Sequence, residues 1–418
     1  MVAILVRLFV PANFLDLFYS YDLSGGGVLI KIHPGTYLLG CAALFATPLP
    51  HALGQKPLVA SATILFGTSA ICGLWALAGG KTLAVGFLLD AEIAAALGLF
   101  ALSRLTARQR KRLFSVLLLS MMINAGILLI EFVTHTPFVA RRNLLRDPRP
   151  FGILNHPLVN GLYYASLVPL VFLLNRPLLE RMAIAGIFAA ATFVSGARFA
   201  SLFVLAGLAA AYIAAAQREQ IRQARAGEAV NFQIILGLIV LPIFLIIGAS
   251  SGLAYRFSSS IYDVSAKTRV DNFVILKYID TKSFLIGAGN ELLTSYANSV
   301  LNQLVENPFV FLIFMFGAII GGIFLAGVLW SMYVILRTRP PLAWISATVF
   351  VLVGLSNNAL VSKTPVLLYF MTILVTAPGA SSSLEAPPAS RSVRSRSGAF
   401  RSAGFAQRLN SGSSPRAR

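Results

Sequence analysis

Apolar runs broken by short polar interruptions fill the chain almost from end to end. They lie near 34–49, 58–79, 82–103, 113–134, 158–175, 182–194, 199–216, 233–253, 309–336, 342–360 and 364–377. A helix needs about 20 such residues to cross a hydrocarbon core about 30 Å thick. The pattern predicts an all-α polytopic membrane protein, because lipid leaves the backbone no partners outside its own helix. Residues 2–20 add either a further span or an interfacial helix, which gives about 11–12 transmembrane helices. Several runs are short enough to be tilted, broken or re-entrant. Three regions follow: an N-terminal segment 1–33, a polytopic membrane domain 34–377 and a tail 378–418.

Composition agrees with this division. Of 418 residues, 57% are hydrophobic and 12% charged, against about half and a quarter in soluble domains. The net charge of +19 does not point to nucleic acid, since the basic residues sit between apolar runs, where membrane topology puts them. "RLTARQRKR" (104–112), "QREQIRQARAGEA" (217–229) and "RTRP" (337–340) fall on one side of the bundle, which the positive-inside rule makes cytoplasmic. The tail carries seven arginines and one acid among Ser, Ala and Gly; it cannot bury a core and reads as a disordered cytoplasmic segment that can touch anionic lipid. Cys41 and Cys72 lie in apolar runs without metal-ligand spacing and read as small buried hydrophobes. Residues 1–20, with Arg7, Pro11 and Asp16, make a poor signal-peptide core.

That sidedness puts 135–157, 195–198, 254–306 and 356–363 outside the cytoplasm, with 254–306 as one large periplasmic loop. The first of these holds Arg141, Arg142, Arg146 and Arg149, against the charge rule. Arginine's planar fork of donors matches phosphate oxygens, so outward arginines at a membrane entrance suit a lipid-linked phosphate or diphosphate; binding of headgroups without chemistry is the simpler alternative. "HPLVNG" (156–161) follows directly, "SGARFASL" (195–202) sets Arg198 before a run, and "TRVDNFVILKYIDTKSFLIGAGN" (268–290) holds Arg269 and Asp271 and ends in Gly-x-Gly. Asp90 and Glu92 lie inside an apolar run, where acids are functional candidates by default; no role follows for them from the sequence. Lys363, before Thr-Pro, either reaches a phosphate or snorkels.

The order of these features resembles the O-antigen ligase and polymerase superfamily of bacterial surface polysaccharide assembly. A fourth segment, "ANSVLNQLVENP" (297–308), aligns Asn298, Leu301, Leu304 and Glu306 with that pattern, and "SNNALVSKTP" (356–365) looks like polymerase-type, VpsF-like exopolysaccharide proteins. The resemblance covers roughly 100–365. It implies a multi-pass protein of the bacterial inner membrane that joins undecaprenyl-diphosphate-linked oligosaccharides at the periplasmic face. No cofactor or metal is implied, and the partners are membrane lipids and the flippase and chain-length copolymerase of the same pathway, with no nucleic acid.

One position departs from the pattern. The ligases carry a histidine where this chain has Ala297, and alanine cannot take a proton from an acceptor hydroxyl. The resemblance therefore leans to a polymerase, with a ligase, a catalytically inactive scaffold or a transporter as alternatives. Developing charge on a leaving diphosphate calls for preorganised cations. Arg269 and Arg198 are the primary candidates, with Arg256, Arg141, Arg142, Arg146, Arg149 and Lys363 as secondary ones. His156, then Glu306, then Asp271 are candidate bases. Each has a plainer reading: His156 as a helix cap, Glu306-Asn307-Pro308 as a helix start, Arg198 as an interfacial anchor, and Arg269 as Asp271's partner.

Overall fold

The computed structural model describes residues 1–16, 18, 21, 31–49, 55–138, 149–154, 156–226, 272–289, 295, 307–356 and 358–378. Two compact units divide the chain, Met1–Glu385 and Ala386–Arg418, and the second lies outside the described residues. All regular structure in the described residues is helical: α1 (Val2–Phe9), α2 (Ala12–Leu15), α3 (Pro34–Ala46), α4 (Lys56–Ala78), α5 (Thr82–Leu88) running through a π turn (Leu89–Ile93) into α6 (Ala94–Ser103), α7 (Ala107–Thr134), α8 (Pro157–Val171), α9 (Leu178–Val194) and α10 (Arg198–Ala226). After these come α11 (Thr281–Ile286), α12 (Pro308–Leu336), α13 (Pro341–Leu355) and α14 (Val366–Thr376). This is an all-α membrane protein. Four stretches, Lys56–Ala78, Ala84–Ser103, Ala107–Thr134 and Pro308–Leu336, are long and apolar enough to cross a membrane.

Local chemistry sets many of the starts. Pro34, Pro157, Pro308 and Pro341 open their helices, where the missing N–H is no loss. Thr106 and Gln109 close a capping box on α7. The run expected at 199–216 continues as helix to Ala226, so most of the arginine-bearing 217–229 stretch is helical. The expected span 233–253 lies outside the described residues. Cys72 is buried as expected, whereas Cys41 is exposed on α3.

Two helices shorter than a bilayer sit at the centre. All of α14 and every residue of α8 except Leu158 are buried. At 1.5 Å per residue they are only about 16 and 22 Å long, which is tolerable because protein surrounds them. Tyr163 of α8 stacks on Tyr369 of α14 at 3.7 Å between ring centroids. The outer helices turn Leu44, Phe45, Leu74, Leu119 and Trp330 outward. α1 is too short to span; Ile4, Arg7 and Leu8 are buried, and Gly35 at the start of α3 abuts the Arg7 backbone, which leaves no room for a side chain at 35.

The apolar run at 308–336 is not one continuous helix. Gly317 sits at φ +82°, ψ 163°, and breaks α12 into two halves. Residues 287–289, Gly-Ala-Gly, fill the break: Gly287 (φ +86°) lies against the Gly317 amide, and Gly289 N–H donates to Phe314 C=O at 2.8 Å. Lys81 Nζ donates to the Met315 and Ile286 carbonyls at 3.0 and 3.3 Å, and Trp75 Nε1 also donates to Ile286 C=O. The Gly-x-Gly of the sequence thus seals a helix break from outside the helix. A side chain at 317 would meet the Leu285 carbonyl and occupy a backbone region open to glycine alone. Gly317→Ala is expected to lower stability by about 1–3 kcal/mol or more. Gly322→Ala, in the same helix with nothing within 4 Å of the added carbon, should hold or raise it by up to about 1 kcal/mol. Thermal unfolding of both variants in detergent checks the contrast.

Candidate functional site

The loop before α8 is held down by an acid that the sequence reading did not single out. Glu131, buried near the end of α7, accepts Phe138 N–H on Oε1 (2.7 Å) and Phe151 and Gly152 N–H on Oε2 (2.8 and 2.9 Å). Asn124, two turns earlier, accepts Ile153 N–H at 2.8 Å and donates to Asn160 Oδ1 and Tyr164 OH. Asn160 in turn donates to Phe151 C=O. Gly152 adopts φ +58° against Asn124, where a Cβ would collide. An acid inside "LLIEFV" was the available signal for Glu131, by the same rule that marked Asp90 and Glu92.

This network explains "HPLVNG" residue by residue. His156 is the N-cap of α8, with backbone φ −151°, and its carbonyl accepts Asn160 N–H at 3.0 Å. Its side chain makes no capping bond and is exposed. Pro157 is the first helical residue, and Asn160 ties the helix to the loop before it. Gly161 lets another helix approach: a Cβ there would lie 2.5 Å from Ala197 Cβ and 3.2 Å from Ser195 Oγ. Ser195, Gly196 (φ +68°) and Ala197 form the turn of "SGARFASL". Two of the stretches marked in the sequence therefore meet. α8 and α10 begin at the same end of the bundle, with His156 at one start and Arg198, half-buried, at the other. Arg149, also half-buried, stands at the head of the clamped loop. Helix starts present unpaired N–H groups and positive dipole ends, so this end suits an anion.

The other marked residues divide into two groups. Arg269, Arg256, Arg141, Arg142, Arg146, Glu306, Asp271 and Ala297 lie outside the described residues. Asn307 and Pro308 are a helix start: Asn307 Oδ1 accepts Phe309 and Val310 N–H. Lys363 is engaged with the protein. Its Nζ donates to Lys31 C=O at 3.3 Å and sits 5.5 Å above the Tyr21 ring.

Lys363 borders a second polar centre, built on the π turn. Asp90, fully buried, accepts from Tyr21 OH (2.8 Å), Thr36 Oγ1 (2.8 Å) and His33 N–H (3.0 Å). Arg7 Nη2 donates to the carbonyls of Asp90 (2.6 Å) and Lys363 (3.1 Å). His33 Nδ1 accepts Gly35 N–H at 2.9 Å, so the ring proton is on Nε2 and donates to Val10 C=O at 2.9 Å. Burial, reinforced by the Arg7 charge, pushes the His33 imidazole down to about 4. Glu92, two residues on from Asp90, is buried with Oε2 lacking a hydrogen-bond partner. Arg7 Nε and the Tyr163 and Tyr369 hydroxyls are in the same condition. Among the described residues, no group of three His, Cys, Asp or Glu comes together to hold a metal ion.

The two centres differ in what they can do. Asp90 has its lone pairs occupied by protein donors, so it braces the N-terminal segment against the π turn. The α8–α10 end carries an exposed imidazole and half-buried guanidiniums, and it is the candidate site. Two outcomes are expected. Glu131→Gln replaces an anionic acceptor of three N–H bonds, each worth about 1.5–3 kcal/mol, and hydrogen exchange at 149–154 should accelerate well beyond that of α8. For His33, the unfolded imidazole binds a proton below pH 6.5 that the folded one refuses until about pH 4. Stability should therefore be level above 6.5 and fall as pH drops through that window, by at most about 1.4 kcal/mol per pH unit. Thermal midpoints at pH 7.5, 5.5 and 4.5 should show a shallower slope for His33→Gln than for the wild type.

No family model, curated protein or solved structure matches this chain.

Proposed function

We propose that the protein is a glycan polymerase of the O-antigen ligase-like kind, joining polyprenyl-diphosphate-linked oligosaccharides at the outer face of a bacterial inner membrane. One observation carries the reading: Gly161 packs on Ser195 and Ala197, so the "HPLVNG" and "SGARFASL" segments form one surface with His156 and Arg198 at its edge. In this reading the chain has 11 or 12 spans and 254–306 is a periplasmic loop that brings Arg269 and Arg256 to the same surface. An acceptor hydroxyl attacks C1 of the donor sugar. The new C1–O bond forms as the bond to the diphosphate breaks, and the electron pair leaves on the diphosphate. Arg198 and Arg269 take up that charge, Arg149 and the other outward arginines hold the lipid diphosphate, and the acceptor's proton passes to His156.

A second reading has an observation of its own. The break in α12 and the acids of the π turn are features found in transporters, whose interrupted helices and midplane charges form substrate sites. In that reading the protein moves a glycan or its lipid carrier and makes no bond.

A strain lacking the gene, complemented with wild type, Arg198→Ala, Arg269→Ala or Glu92→Gln at matched membrane levels, separates the two. The polymerase reading expects the arginine variants to stall at single repeat units, with at least about a hundredfold less polymer, the scale of losing one preorganised donor to developing charge. Full-length polymer from both arginine variants, with loss in Glu92→Gln, would favour transport.

A further inference from the structure

At the opposite end of the bundle, an open groove of about 460 Å³ runs between α3, α4 and α6. Small residues give it depth, Gly40 and Ala43 on one wall, Ala62 on the second and Ala96 on the third, while Phe66 and Phe100 form its sides. The two threonines beside it, Thr47 and Thr63, donate their hydroxyl protons to carbonyls of their own helices and so have no proton left to give a phosphate. The neighbouring Leu44, Phe45 and Phe66 are all more than half exposed, so the groove opens onto the surface that lipid covers. The groove closes on a charge: Arg104, the C-cap of α6, lies with its guanidinium carbon 4.9 Å from the centroid of Phe100. Its Nε is buried without a hydrogen-bond partner. Lys56, exposed at the first residue of α4, adds a second cation at that end.

We propose that this groove is a specific site for one anionic glycerophospholipid of the leaflet on the arginine-rich side, which the positive-inside rule makes cytoplasmic. One acyl chain lies along the groove and the phosphate sits on Arg104. The dimensions agree: Ala96 and Arg104 are eight residues apart, about 12 Å along the axis, so a chain reaching Ala96 leaves its headgroup at the level of the guanidinium. Arginine supplies a fork of donors that suits phosphate, and basic pockets between helix ends on the cytoplasmic side are a recurrent way of holding anionic lipid. A soluble partner fits poorly, since the walls face the hydrocarbon. A partner helix would find a cation stacked at the rim and no acid to meet it among the lining side chains.

Gly40 gives a clean test. A Cβ there meets nothing within 4 Å, so the side chain of Gly40→Leu starts in open space and extends into the groove, and leucine favours helix over glycine. The full-length protein in a nonionic detergent is titrated with phosphatidylglycerol or phosphatidylcholine and followed by native mass spectrometry. Wild type should retain one phosphatidylglycerol in preference to phosphatidylcholine. Arg104→Gln should cut phosphatidylglycerol retention about fivefold, the scale of one basic residue at a lipid surface, and remove the preference. Gly40→Leu should lose both lipids at an unchanged melting temperature. The proposal fails if Gly40→Leu keeps its lipid, if Arg104→Gln keeps the preference, or if the wild type retains a second copy of the chain there instead.

Discussion

In hydrocarbon, each backbone N–H and C=O needs a partner from the protein itself, and each departure from regular helix exposes groups without one. In this protein, buried and half-buried charged side chains meet that demand. Lys81 takes the Met315 carbonyl where α12 breaks. Arg7 takes the Asp90 carbonyl inside the π turn, and the Asp90 carboxylate takes the His33 amide where α3 begins. Glu131 takes two amides of the loop that leads into α8. Most of these bonds join charge to backbone and not charge to charge; the ion pair between Arg176 and Glu180 among the described residues is a solvent-exposed one. A buried charge bonded to the main chain fixes a path of the chain, whereas a surface pair contributes little.

This arrangement puts the irregular backbone where the chemistry is expected. The loop at 149–154 and the turn at 195–197 both lie at helix starts, and both are pinned by small residues or buried polar side chains. Gly152, Gly161 and Gly317 each stand where a Cβ would strike a neighbour at under 3 Å. Gly317 lets backbone approach backbone, while Gly152 and Gly161 make room for the side chains of Asn124, Ser195 and Ala197.

The helices were legible because a continuous apolar run is a strong signal. The expected 82–103 and 309–336 runs match α5–α6 and α12 to within a residue or two. The break at Gly317 was not legible, since "FGAIIGG" holds three glycines, and only contact with Gly287 from a distant segment selects one of them. Arg7 was visible only as a spoiler of a signal-peptide core; its acceptors are 83 and 356 residues away, and no local pattern encodes that distance. Asp90 was noticed but could not be given a role, because its donors come from α3 and from Tyr21. The packing of the "HPLVNG" stretch on the "SGARFASL" turn was not legible from pattern. What joins them is the small size of Gly161 and Ala197, which a sequence shows only as two unremarkable letters.

The bond from Arg7 to the Lys363 carbonyl also constrains how the protein is made. The Lys363 carbonyl is synthesised 356 residues after the arginine it accepts from. At about 5–20 residues per second, the interval is some tens of seconds. Through that time an eight-residue helix carrying a guanidinium has one of its two acceptors still to come. The full set of bonds to this side chain closes only when the segment around Lys363 has joined the bundle. One guanidinium thus ties the two ends of the membrane domain's synthesis into a single polar contact.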